Sequence, residues 1–127
     1  MLLRRRLLPF LFFAAPLFAQ TPATPVTNAV LATLTLRPDK ERSEALKALP
    51  EEVRATVKLY LDGKIQQWYS RSDGKGVVFI LNCSSVTEAK SLMDSLPLSK
   101  AGLATFDFLA LGPLNPLRVL ISEAPQR

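Results

Sequence analysis

The 127-residue sequence contains no histidine and a single cysteine, and both absences exclude classes of chemistry. Without histidine, the chain lacks the usual general base and the commonest metal ligand, so serine–histidine and cysteine–histidine hydrolysis are excluded. Cys83 has no second cysteine to pair with, which excludes a disulfide framework and a zinc cluster. Glycine is also scarce, and Gly74 and Gly76 belong to a turn and not to a phosphate-binding loop. We therefore predict no metal and no cofactor.

The formal net charge of +5 is largely a property of the N-terminus, where Arg4, Arg5 and Arg6 lie together. Beyond Ala19, 13 basic and 11 acidic side chains remain, which is a net charge of +2. This charge is too small and too evenly spread for the basic surface that nucleic acid binding needs. We therefore expect no nucleic acid partner.

The first 19 residues have the three parts of a bacterial secretory signal peptide. The basic segment precedes an apolar run over residues 7–18, and Ala19 stands at the expected cleavage point. The run is shorter than the roughly 20 residues of a transmembrane helix. We expect an exported protein, periplasmic or secreted, with no stable membrane association once the leader is removed. An uncleaved anchor and twin-arginine export are the alternatives, and residues 20–27, rich in proline and threonine, are predicted to form a flexible linker.

The remaining chain alternates between strand and helix patterns. Residues 28–36, 64–71, 76–82 and 104–111 read as strands, and residues 117–121 read as a short edge strand. Asp73 and Gly74 signal a tight hairpin. Residues 40–61 are helical, with a cap at Asp39 and a kink or restart at Pro50. The apolar residues predicted to face the core share helical spacing: Leu46, Leu49, Val53, Val57, Tyr60 and Leu61.

A second helix follows Ser85, which forms a capping box with Glu88, and the helix ends at Pro97. The order is therefore βαββαβ. With right-handed crossovers, this order predicts a ferredoxin-like α+β fold over residues 28–122, in which a four-stranded antiparallel sheet carries two helices on one face. Residues 123–127 form a C-terminal tail.

The other face of this sheet has no predicted cover, although it carries apolar residues such as Leu31. An uncovered apolar sheet would be a large exposed patch. Packing two such faces across a two-fold axis removes the patch from water. We therefore predict a homodimer, with the two sheets closing into a dimeric α/β barrel.

Three segments resemble the muconolactone isomerase-like family of dimeric α/β barrels. They are the helix and Leu-Pro-Leu turn at residues 85–98, the Phe106-Asp107-Phe108 strand, and Gly112-Pro113-Leu114. The resemblance implies the dimeric barrel fold and a place in a group that includes lactone isomerases and small oxygenases. Gln67 stands where the resemblance places a histidine, and the leader distinguishes this chain from the cytoplasmic isomerases.

Candidate site residues are the polar side chains of the bare sheet face. If Phe106 and Phe108 face the helices, Asp107 faces the other way and is a candidate general acid or base. A carboxylate between two sheets is costly unless it is hydrogen-bonded or paired. The alternative role for Asp107 is structural, as a partner of Arg71, of Lys100 or of a hydroxyl group.

Strand two supplies the candidate ligand-binding residues. We place Trp68 against the helices because it is the larger apolar side chain, which leaves Gln67, Tyr69 and Arg71 on the bare face with Thr33. Arg71 could hold a carboxylate, and Tyr69 could donate to a ligand oxygen. A solvated Arg71 and a Tyr69 that packs at the dimer interface are the alternatives.

These observations favour an exported domain that binds a small apolar molecule between the two sheets. A cofactor-free isomerase or oxygenase with Asp107 as proton acceptor is the second hypothesis. The third is a structural or interaction module whose barrel is filled by side chains. The acidic residues Glu41, Glu51 and Glu52 are assigned to a solvated helix face, and Cys83 has no histidine to activate it.

Overall fold

The computed structural model describes residues 26–114 as three helices and four strands. The predicted leader, most of the linker, the edge strand at 117–121 and the C-terminal tail lie outside the described residues. In chain order the elements are β1 (Ala29–Leu36), α1 (Arg42–Leu61), β2 (Ile65–Ser70), β3 (Gly76–Leu81), α2 (Val86–Asp94), α3 (Pro97–Lys100) and β4 (Ala104–Leu111). No helix in this part of the chain is both long and apolar enough to cross a membrane.

The four strands form one antiparallel sheet in the order β2-β3-β1-β4. Both crossovers place their helices on the same face, so the predicted ferredoxin-like α+β fold is confirmed. The helix-covered face carries the buried residues of the central strands, including Val30, Leu34, Phe79 and Leu81. The α2 residues Ala89, Met93 and the neighbouring Leu96 complete this core.

Helix α1 presents a different side to the sheet from the one predicted. The predicted apolar stripe is exposed, with Val53 at 52 % and Leu61 at 76 % of their full accessible area. The inward side instead carries mainly small and polar residues, with one leucine, at helical spacing: Ala45, Ala48, Glu52, Ala55, Thr56 and Leu59. These residues pack against the core, whereas the larger side chains of the predicted stripe lie outside that contact. Of the kink or restart predicted at Pro50, the restart is wrong, because α1 runs through Pro50 as one helix of 20 residues, and the kink stays a prediction.

Three local predictions about turns and caps have mixed outcomes. Ser85 caps α2 as predicted, since its Oγ accepts a hydrogen bond from the Glu88 N–H at 3.1 Å. The Glu88 carboxylate, however, accepts from the backbone and hydroxyl of Ser84. Asp39 does not cap α1, because its carboxylate is paired with Arg37. After α2 the chain forms the short helix α3, which begins at Pro97, where the sequence predicted the end of the second helix.

A β-bulge changes the side on which β2 presents its first residue. The register between β2 and β3 shifts between Ile65 and Gln67, so Gln66 has no partner of its own. Ile65 therefore packs into the helix-covered core, although strict alternation predicts it beside Gln67. After the bulge the alternation holds, and Trp68 lies on the helix side as predicted, in an edge-on contact with Tyr60 of α1 at 4.5 Å between ring centroids.

Candidate functional site

A cavity of the described chain lies between α1 and the helix-covered face of the sheet. Its volume is about 470 Å³. Leu34, Phe79 and Trp68 provide apolar surface on the sheet side, and Val53 and Val57 provide it on the helix side. The cavity expected on the opposite, bare face, between the two sheets of a dimer, stays a prediction. The space beneath α1 is open-sided because α1 contacts α3 and β2 while α2 contacts β4.

Glu52 is the buried acidic residue of this cavity, with 5 % of its surface exposed. Its Oε2 accepts a hydrogen bond from the backbone N–H of Leu98 in α3 at 2.9 Å. Its Oε1 has no hydrogen-bond partner among residues 26–114. Burial raises the pKa of Glu52 above its ordinary value, and the Leu98 hydrogen bond opposes this only in part. The carboxyl group is therefore anchored through one oxygen and unsatisfied at the other.

The position of Glu52 corrects the prediction that it lies on a solvated helix face. Glu52 is seven residues after Ala45 and four after Ala48, so all three share the inward side of α1. Thr56 follows one turn later, and its hydroxyl donates to the Glu52 carbonyl at 2.8 Å. A row of alanines interrupted by one glutamate is the signal that could have identified it. The larger Leu and Val residues on the adjacent side concealed this signal.

Arg71 borders the cavity, but its guanidinium group lies with Thr35, which shares the bare face of the sheet with Thr33. Its Nη1 donates to the hydroxyl of Thr35 at 2.8 Å, and its Nη2 is paired with the Asp73 carboxylate at 2.5 Å. The guanidinium group therefore ties the β2–β3 hairpin to the end of β1. A ligand carboxylate at this point would compete with Asp73, and the ligand-binding role of Arg71 stays a prediction.

The other predicted site residues come together on the bare sheet face. Tyr69, Val78, Thr33 and Asp107 are aligned in one row across all four strands. Gln67 lies in the next row, and its Oε1 accepts a hydrogen bond from the Tyr69 hydroxyl at 3.2 Å. The cavity under α1 is on the other side of the sheet. The roles of these four polar residues stay predictions that need a second layer over this face.

Asp107 is exposed, and its carboxylate makes no hydrogen bond or ion pair with any residue of the described range. In a single chain it therefore lacks the enclosed surroundings that proton transfer needs, as well as the partners of its structural alternative. Glu52 has the enclosure that was expected for Asp107.

Neither the thiol nor the carboxylates of the described chain form a second reactive centre. Cys83 is buried, and burial, with a smaller contribution from Glu88, raises the pKa of its thiol. A protonated thiol is a poor nucleophile at neutral pH. Within residues 26–114, no group of three or more cysteine and acidic residues is placed to hold a metal ion.

Comparison with known proteins identifies a fold but not a family. No family model matches the chain, and no curated protein matches it. Among solved structures, 5-chloro-2-hydroxyhydroquinone dehydrochlorinase (TftG) from Burkholderia phenoliruptrix is similar, with 19 % sequence identity and a TM-score of 0.52. The match covers 69 % of this chain and 97 % of that chain. That enzyme was solved in complex with 2,5-dihydroxybenzoquinone. At this identity the similarity shows the shared ferredoxin-like fold.

Proposed function

We propose that this protein is a muconolactone isomerase-like domain that binds a small, largely apolar molecule between α1 and the sheet. The observation that carries the proposal is the cavity itself, whose volume of about 470 Å³ falls within the range of ligand pockets. Its apolar walls and single buried carboxyl group match the usual composition of such pockets. The dihydroxybenzoquinone bound by the structural neighbour supports a ligand of one small ring.

The proposal includes a homodimer formed through the bare sheet face. Leu31, Val78, Ile80 and Leu109 lie on this face, and no helix of the described chain covers it. A second copy of the same face would remove these apolar side chains from water. Because the cavity lies on the other side of the sheet, such a dimer leaves its mouth open to solvent.

The proposal also includes export, which depends only on the first 19 residues. N-terminal sequencing of protein from fractionated cells should begin at Gln20, and a retained Met1 would contradict cleavage. The isomerase or oxygenase hypothesis with Asp107 as proton acceptor stays a prediction, since the proposed dimer would have to supply the enclosure around Asp107.

Trp68 provides a direct test of the cavity, because it is the single tryptophan of the chain and lies in the cavity wall. Titration with toluene, a compact apolar ring, should shift Trp68 emission to shorter wavelength in a saturable manner as water leaves. Val57→Phe should weaken the response, because Val57 lines the cavity and the larger ring occupies part of it.

Leu61→Phe is the matched control, since Leu61 lies one turn further along α1, outside the cavity lining, and is exposed. It should titrate like the unmodified protein. The proposal fails if toluene, up to its solubility limit, changes neither emission wavelength nor intensity, or if the two variants respond alike.

A further inference from the structure

Among the described residues that line the cavity under α1, one buried side-chain polar atom has no hydrogen-bond partner. Of the described residues in the cavity lining, two are ionisable, Glu52 and Arg71. The Arg71 guanidinium is already bonded to Thr35 and Asp73. The Oε1 atom of Glu52 has no partner among these residues, although it is buried.

The other carboxyl oxygen of Glu52, Oε2, accepts a hydrogen bond that connects two helices. The N–H of Leu98 lies in the first turn of α3, where no helical carbonyl can accept it, and Glu52 Oε2 does so. This bond joins α1 to α3 and restricts how the carboxyl group can turn. Because Oε2 is fixed in this way, Oε1 is the carboxyl oxygen left for a ligand, and because Oε1 is itself buried, the cavity wall has to adjust around it for a ligand to make the contact.

A carboxylate oxygen buried without a hydrogen bond carries a desolvation cost. A hydrocarbon in the cavity would leave that cost in place and would also displace any water able to reduce it. A ligand with a hydroxyl group could donate to Oε1 and remove the cost through a charge-assisted hydrogen bond. A ligand carboxylate would instead place a second negative charge next to Glu52.

We propose that Glu52 is the recognition group of this cavity, and that it selects neutral ring compounds with a hydroxyl group, such as phenols, over hydrocarbons and carboxylates of the same shape. This inference rests on the proposed function, because it specifies the ligand class of the same cavity. Glu52 acts here as a binding residue through its Oε1 atom, and the Leu98 bond positions it.

Three probes that differ in one substituent test the proposal: toluene, p-cresol and p-toluate. Each is titrated into the unmodified protein at pH 8, and binding is followed by Trp68 emission excited at wavelengths the probes do not absorb. We expect p-cresol to bind about tenfold more tightly than toluene, because it adds one hydrogen bond to a charged group. We expect p-toluate to bind more weakly than toluene.

Glu52→Gln keeps an oxygen for the Leu98 N–H and places an amide donor where Oε1 was. The p-cresol preference should fall by about tenfold, since the charged acceptor is gone, while toluene affinity is retained. Glu51→Gln is the matched control. The carboxylate of Glu51 is next to Glu52 in sequence but is exposed and paired with Arg54, so this variant should keep the full preference for p-cresol over toluene.

The outcomes separate this inference from the proposed function. If no probe binds, the cavity is not a ligand site and both proposals fail. If toluene binds as tightly as p-cresol in the unmodified protein, the role of Glu52 is overturned while the cavity remains a binding site. If p-toluate binds most tightly, the selection of neutral hydroxyl compounds by Glu52 is overturned. The ratio of p-cresol affinity to toluene affinity in the unmodified protein tests the role of Glu52 even if Glu52→Gln does not fold.

Discussion

At the scale of single residues, the burial of Glu52 is the feature with the largest consequences. A carboxyl group in apolar surroundings is destabilised in its charged form, and one backbone N–H compensates only in part. Truncation is nevertheless unfavourable, because Glu52→Ala would leave the buried Leu98 N–H unpaired at a cost of about 1–3 kcal/mol. The group is therefore structurally required and electrostatically costly.

This balance predicts a specific dependence of stability on pH. Because the pKa of Glu52 is raised in the folded state, the folded protein binds its proton more tightly than the unfolded chain. The free energy of unfolding should therefore be highest below the ordinary pKa of Glu52, fall as the pH rises through the raised pKa, and stay lower above it. Glu52→Gln removes this loss, so its stability relative to the unmodified protein should increase between pH 4 and pH 8.

Urea denaturation of both proteins at pH 4 and pH 8 measures that difference. Glu51→Gln serves as the control, since Glu51 is exposed and should contribute no comparable change. A constant difference between Glu52→Gln and the unmodified protein across this pH range would contradict a raised pKa.

At the scale of elements, two contacts shape the surroundings of the cavity: one between α1 and the core, and one between β1 and β3. Helix α1 can lie near the sheet because its inward side carries Ala45, Ala48 and Ala55. Strands β1 and β3 come together at Gly76, where an added Cβ atom would lie 1.9 Å from the backbone oxygen of Leu34. Both contacts depend on the absence of side-chain volume, and Gly76 and Leu34 border the cavity.

Gly76→Ala should therefore destabilise the protein by roughly 1–3 kcal/mol, because the clash is with backbone and requires β1 or β3 to move. Gly63→Ala is the comparison: Gly63 has a positive φ of 75°, but an added Cβ would meet no atom within 4 Å. Its cost should be limited to backbone strain, about 1 kcal/mol. Thermal or urea unfolding would contradict this account if Gly63→Ala were the more destabilised variant.

At the scale of the whole molecule, apolar surface remains on both sides of the sheet. Leu109 on the bare face has 58 % of its surface exposed, and the outer side of α1 exposes Leu46, Val53 and Leu61. The two surfaces differ in form. The sheet face is broad and can pair with the same face of a second copy, whereas the exposed side of α1 borders the opening of the cavity at Val53.

Light scattering of the chain without residues 1–19, at micromolar concentration, should give the mass of two copies. Leu109→Asp should shift it to one copy, because the proposed interface would bury an unpaired charge from each chain. Leu61→Asp is the control, since Leu61 is exposed on α1, and it should stay dimeric. A single-copy mass for the unmodified protein, or dissociation of Leu61→Asp alone, would contradict a dimer through the bare sheet face.

The order of elements and the two faces of most strands could be read from the sequence. The alternation in β1 and β4 separates Val30 and Phe108 from Thr33 and Asp107, and the structure keeps that separation. Strand periodicity is a local property of the backbone, so it is visible without knowledge of the partner strand.

The side on which α1 meets the sheet was decided only by tertiary packing. Local hydropathy favours a helix side bearing Leu and Val, but a close contact with a sheet favours the small side chains of Ala45 and Ala48. That choice carried Glu52 inward and left Val53 at the cavity mouth. Likewise, the bulge that moves Ile65 into the core depends on pairing with β3. The sequence by itself determined the four strands, the two longer helices and their order, because those depend on neighbouring residues. Only the tertiary structure decided where the cavity lies, because that depends on how closely distant elements can approach.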